Sequence, residues 1–119
     1  MAKTNLFRTA DDFETYPAGQ LIFKEGQPGD VLYVVKDGEV EILIGGSVIE
    51  TLDAGDIFGE MALIEKQARS ATARAKTDAQ VVPVGEKQFA FLVQQTPHFA
   101  IQVMQTMAGR LRRMNERSR

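Results

Sequence analysis

Within Phe58-Gly59-Glu60-Met61-Ala62-Leu63, a glycine and a carboxylate open a short apolar run, and Arg69 follows ten residues after Gly59. The run is poor in β-branched residues and reads as one helical turn interrupting a strand-rich region. A helix N-terminus presents unpaired N–H groups and a partial positive charge, which suits a phosphate. Gly59 lets the backbone approach such an anion closely, and the amides of Met61 and Ala62 would point at it. A guanidinium such as that of Arg69 grips two phosphate oxygens at once, where a lysine offers only a point charge. Glu60 would repel the same anion, so its carboxylate suits a neutral donor beside the cradle, such as a sugar hydroxyl. On residue types alone a second reading stands next to this one, in which Glu60 and Arg69 form an ion pair tying the loop to the fold.

Other chemistry finds little support in the sequence. The chain has no cysteine, which excludes disulfides, thiolate metal sites and a cysteine nucleophile and fits a reducing, cytoplasmic setting. His98, the single histidine, follows Pro97 with no acid pair or second histidine at ligand spacing, and reads as a surface or capping residue. Asp11-Asp12 lie near the terminus and Asp53/Asp56 in a glycine turn, so neither pair is a catalytic dyad. Without a metal cluster or a nucleophile with its base, the expectation is a binding module and not an enzyme. Fourteen basic and sixteen acidic residues leave no global attraction for nucleic acid or an anionic membrane. Arg110, Arg112, Arg113, Arg117 and Arg119 crowd the last ten residues, where cations complement a helix C-terminus. No segment approaches the roughly 18 consecutive apolar residues of a membrane span, and the N-terminus lacks the pattern of a signal peptide.

The elements that must position these residues follow from periodicity. From Gly19 to Val84, the runs LIF, VLYVV, VEILI and SVIETL alternate with turns rich in glycine and aspartate, predicting an all-β region folded as two packed sheets. Residues 4–14 read as a short N-terminal helix with Leu6 and Phe13 as its apolar contacts. Residues 86–95 carry Phe89, Leu92 and Val93 at helical spacing, and Thr96-Pro97 marks the start of a second C-terminal helix. In that helix Ala100, Met104, Met107, Leu111 and Met114 form one apolar seam, which could pack on the chain's own sheets or on a second copy.

Taken in order, Phe58-Gly-Glu-Met-Ala-Leu63, a five-residue spacer and Arg69-Ser-Ala71 resemble the phosphate-binding cassette of the cyclic nucleotide-binding domain family, the type found in the bacterial catabolite activator and the protein kinase A regulatory subunit. The preceding YPAGQLIFKEGQPGDVLYVVKDGEVEI resembles the family's opening strands, so the likeness spans about residues 16 to 114. Ala68 departs from it, since many members carry proline there, implying a slightly looser loop.

The resemblance implies a mainly β fold with flanking helices. It would be an eight-stranded antiparallel β-roll of jelly-roll type with a short N-terminal helix, a cassette helix and two C-terminal helices. Residues 1–119 would make one cyclic nucleotide-binding domain, with the roll over about 16–84 and the helices over about 85–117. It implies that Glu60 accepts the ribose 2′-hydroxyl and that Arg69 holds the cyclic phosphate. Gly59, the Met61 and Ala62 amides, Ser70 and Ala71 would complete the anion site, with Ile42, Ile49 and Met61 against sugar and base. The last helix would cap the base with Arg110, Leu111, Met114 and Asn115, Arg110 stacking on the purine. Ser70, where guanine-selective members commonly have threonine, implies cyclic AMP as ligand over cyclic GMP. A non-binding member kept for protein contacts is the alternative, which intact Glu60 and Arg69 argue against. No other cofactor is implied; the partners implied are the nucleotide, an effector domain or protein, and a homodimer through the C-terminal helix. No helix-turn-helix, kinase or channel segment follows Arg119, so the effector is expected elsewhere.

Overall fold

Short β-branched runs cut by glycine and aspartate give short strands. The computed structural model describes residues 3–117. Eight strands form: β1 (Glu14–Tyr16), β2 (Leu21–Phe23), β3 (Val31–Asp37), β4 (Val40–Ile44), β5 (Ser47–Leu52), β6 (Ile57–Phe58), β7 (Thr72–Ala75) and β8 (Ala79–Gly85). Helix α1 (Glu60–Glu65) separates β6 from β7, and α2 (Glu86–Gln95) and α3 (Pro97–Arg117) follow β8. The strands make two four-stranded sheets, ordered β1-β8-β3-β6 and β2-β7-β4-β5, with antiparallel pairing throughout. This is the β-roll the sequence predicts.

The continuous apolar run of β3 makes sense because both faces of the strand are buried. Tyr33 and Val35 enter the interior cluster with Phe23, Leu52 and Phe58, while Leu32 and Val34 enter a second cluster with Phe7, Leu63, Phe99 and Val103. Successive side chains on a strand alternate in direction, so one strand serves both cores. The first core closes the roll; the second fastens the helices to its outside.

Strand β5 breaks that alternation. Ile42 pairs with Glu50 and Leu43 with Val48, leaving Ile49 as an extra residue between them. A bulge of this kind allows two consecutive side chains to turn inward. Ile49 packs on the interior cluster, and the side chain of the next residue, Glu50, is only 7% exposed.

Two sequence expectations are corrected here. Residues 6–9 form a turn in place of the short N-terminal helix, and Phe7 is the buried contact, with Leu6 and Phe13 exposed. The Arg8 N–H donates to the Asn5 carbonyl and the Ala10 N–H to the Phe7 carbonyl, each three residues back, while the Thr4 N–H donates to the distant Gly55 carbonyl, so the segment is held as short turns and not as an i to i−4 ladder. In α3 the buried stripe is Phe99, Val103 and Thr106, one residue away from the expected seam, of which Met107 still packs half-buried on the second cluster while Met104, Leu111 and Met114 are exposed. One residue is about 100° of helix rotation. The rotation is set by Phe99, whose ring meets Phe7 and Phe89 edge-on with centroids 6.0 and 5.9 Å apart.

The corrected register has a measurable consequence in a urea titration. Phe99→Ala should cost about 3–5 kcal/mol of stability, whereas Met104→Ser should change it by no more than about 0.5 kcal/mol in dilute solution. A Met104 variant as damaging as the Phe99 variant would restore the original seam.

Candidate functional site

A cavity of about 350 Å³ opens between β4, β5, the β6–α1 junction, residues 69–71 and α3. The residues singled out from the sequence, Ile42, Ile49, Gly59, Glu60, Met61, Ala62, Arg69, Ser70, Ala71, Arg110, Leu111 and Met114, all line it. Asn115 does not line it. Helix α1 starts at Gly59, whose φ of 73° lies in the left-handed region, and no side chain caps its first turn. The uncapped N–H groups of that turn belong to residues that line the cavity.

Arg69 is 6% exposed, and its guanidinium lies 4.2 Å from the centroid of the Phe23 ring. Its Nη1 donates to the carbonyls of Val31 and Gly59, each at 2.9 Å, and among protein groups its Nε–H finds no acceptor. No carboxylate lies within ion-pair distance among the described residues. Burial pulls the guanidinium below the ordinary arginine range, while Tyr33, Asp30 and Glu60 act against that shift without pairing with it. Two glycines make room for the arrangement. A Cβ on Gly29 would stand 2.3 Å from Arg69 Nε, and one on Gly59 would stand 2.8 Å from Nη1. The backbone fixes the loop as well, with the Arg69 N–H donating to the Gln27 carbonyl and the Gly26 N–H to the Arg69 carbonyl. A buried cation held only by neutral carbonyls leaves its charge uncompensated, and an anion in the cavity can supply that compensation.

Glu60 is 3% exposed and pairs with Arg110 of α3, not with Arg69, so the ion-pair reading of Glu60 and Arg69 is set aside. Arg110 donates from Nη1 to Glu60 Oε1 at 2.5 Å, from Nε to Glu50 Oε1 at 3.1 Å and from Nη2 to the Ile57 carbonyl at 2.7 Å. Burial works to lower its pKa, but the charges of Glu60 and Glu50 outweigh it and hold the group above the ordinary range. With all three nitrogens engaged, Arg110 is bound edge-on to acids at the cavity wall, an arrangement different from the stacking platform expected of it. Arg113 adds a second contact to Glu50 at 3.2 Å.

A charged anion receptor, a carboxylate and an apolar wall thus share one cavity across a β-roll. The model of the cyclic nucleotide-binding domain matches residues 13–96. The chain belongs to that family. Among curated proteins, the cyclic nucleotide-binding chain described here is 43% identical over 86 residues to a cGMP-dependent protein kinase of Toxoplasma gondii, covering 72% of this chain and 9% of the kinase. It is 39% identical over 90 residues to a cAMP-dependent protein kinase regulatory subunit of Emericella nidulans, covering 72% of this chain and 22% of the subunit. The chain therefore spans less than a quarter of either relative. Among solved structures, the Thermus thermophilus catabolite activator protein superposes with a TM-score of 0.77 at 31% identity, covering 89% of this chain and 52% of that one.

Glu50 and Arg113 are the charged cavity residues that the sequence did not disclose as site residues, and Ile44, Met107 and Ala108 are apolar ones. With Ile49 inside, strict alternation turns Glu50 outward, and only the bulge reverses that. Arg113 read as a solvated cation near a helix end. Phe23 and Phe58, also in the wall, read as core residues, and they are core as well.

If Arg69 is kept for a ligand and not for stability, removing its charge should not harm the ligand-free fold. Arg69→Met is expected to leave the free energy of unfolding unchanged or raised, since a buried charge without a paired anion is costly to the fold. A loss above about 2 kcal/mol would mark Arg69 as a structural residue.

Proposed function

We propose that this chain is a single regulatory domain that binds cyclic AMP, with the cyclic phosphate on Arg69 and the α1 N-terminus. The observation that carries this reading is the buried Arg69 guanidinium, which lines the cavity and has no carboxylate of its own among the described residues, with its Nε–H left without a protein acceptor. In this reading Ser70 and the Met61 and Ala62 amides complete the anion cradle, Glu60 accepts the ribose 2′-hydroxyl, and Ile42, Ile49 and Ala71 bound the sugar and base. Leu111 and Met114 exclude water at the open rim, where both are more than half exposed before ligand arrives. The nucleotide is the ligand of a sensor; the chain itself transforms nothing. Among the described residues no cluster of three or more metal-binding side chains exists, and no helix is long and apolar enough to cross a membrane. A cytoplasmic setting fits the cysteine-free sequence.

Cyclic AMP is preferred to cyclic GMP in this reading because Ser70 stands where guanine-selective members commonly carry threonine. The difference expected from one hydrogen bond is about 1 kcal/mol. Cyclic GMP is the second reading, favoured by the likeness to the Toxoplasma kinase. A homodimer through α3 also belongs to the proposal, since Ile101, Met104 and Leu111 leave an uncovered apolar row, and sedimentation at increasing concentration tests it. The effector is a separate domain or protein.

Isothermal titration with cyclic AMP, cyclic GMP and AMP decides among these. Cyclic AMP should bind most tightly, and Arg69→Ala should weaken it by roughly 30-fold or more, because truncating one partner of a buried charge pair costs about 2–5 kcal/mol at 1.4 kcal/mol per tenfold. Equal affinity in the parent and Arg69→Ala would remove the phosphate assignment, and tighter binding of cyclic GMP would reverse the choice of base.

A further inference from the structure

Two buried carboxylates, Glu50 from β5 and Glu60 from α1, share one guanidinium from α3. Glu60 is the group assigned above to the sugar hydroxyl, so its one ion-pair partner among the described residues is also the residue that ties α3 to the roll. With Glu60 as sole partner, Arg110 would spend its whole charge on the carboxylate that the ligand needs. Glu50 changes this. It takes Arg110 Nε on Oε1, receives Arg113 on the same oxygen at 3.2 Å, and keeps a second oxygen, Oε2, buried without a partner. Its side chain is 7% exposed, so water screens these contacts little.

We infer that Glu50 is a positioning residue: it holds Arg110 and α3 against the roll, leaving Glu60 with enough uncompensated charge to accept the sugar hydroxyl while the helix stays in place. The inference rests on the proposed cyclic nucleotide site. Arg110 keeps a carboxylate and the Ile57 carbonyl as partners whichever way Glu60 turns, so ligand binding and helix docking do not compete for one anion. The bulge in β5 is what makes the device available, because it sets Glu50 beside Ile49 on the interior side of the strand.

The test is a cycle between a residue and a ligand atom. Affinities for cyclic AMP and 2′-deoxy cyclic AMP are measured by titration in the parent chain, in Glu50→Gln, which keeps the shape and removes the charge, and in Glu50→Asp. A hydrogen bond to a charged group makes the parent prefer cyclic AMP by about tenfold or more. In Glu50→Gln, Arg110 falls wholly to Glu60, and that preference should shrink to about threefold or less, with partial recovery in Glu50→Asp. A residue that merely stabilised the fold would weaken both ligands alike and leave their ratio unchanged. An unchanged or enlarged ratio in Glu50→Gln therefore overturns the inference while leaving the nucleotide site intact, and absence of binding by the parent overturns both. Should Glu50→Gln not fold, Glu50→Ser carries the same expectation for the ratio.

Discussion

A guanidinium buried without an anion is the constraint around which this molecule is arranged. Arg69 reaches its position only because Gly29 and Gly59 supply no side chain, because the Phe23 ring offers a face to lie on, and because the carbonyls of Val31 and Gly59 take two of its hydrogen bonds. Each of these groups sits on a different element, so the roll has to close before the site exists. None of them carries a formal negative charge, so the charge of Arg69 stays uncompensated among the described residues, as the proposed phosphate site requires. The aromatic triplet of Phe23, Tyr33 and Phe58, with centroids 5.3 to 5.9 Å apart, forms the apolar floor beneath the guanidinium, which lies 4.2 Å from the Phe23 centroid.

The C-terminal helix extends the same logic outward. Its inward stripe begins apolar at Phe99 and Val103, passes through the buried hydroxyl residue Thr106, and becomes cationic at Arg110 and Arg113. The first half is held by hydrophobic packing on the outer face of the β1-β8-β3-β6 sheet; the second is held by two carboxylates that also face the cavity. One half is insensitive to what occupies the cavity, and the other half touches the group proposed to bind the sugar. A helix anchored in this way can report occupancy through its C-terminal turns while its N-terminal turns stay fixed.

Much of this was legible in the sequence, for reasons that differ by element. The strands and their turns follow from short β-branched runs and glycines. The cassette could be read because its spacing is local, all of Gly59 to Ala71 lying in one continuous segment. What remained hidden depends on non-local or irregular geometry. The α3 register was missed because methionines at regular spacing suggest a seam, while the stripe that packs is apolar only at Phe99 and Val103 and continues as threonine and arginine. Glu50 was missed because a bulge defeats the two-residue period, and no residue type announces a bulge there. The N-terminal turn is hidden because its anchors are distant in sequence, the Phe7 ring on Phe99 and the Thr4 N–H on the Gly55 carbonyl, which local propensity does not contain.

The central claim is that the Arg69 guanidinium, buried without an anion of its own, awaits a phosphate oxygen, and side-chain NMR observes the Nε–H proton of that group directly. In a ¹H–¹⁵N spectrum tuned to arginine Nε, with the signal assigned by its loss in Arg69→Lys, titration with cyclic AMP should shift the Arg69 resonance downfield to saturation. Adenosine, which has the sugar and base but no phosphate, should leave it in place. A resonance that ignores cyclic AMP, or that responds equally to adenosine, would contradict the account.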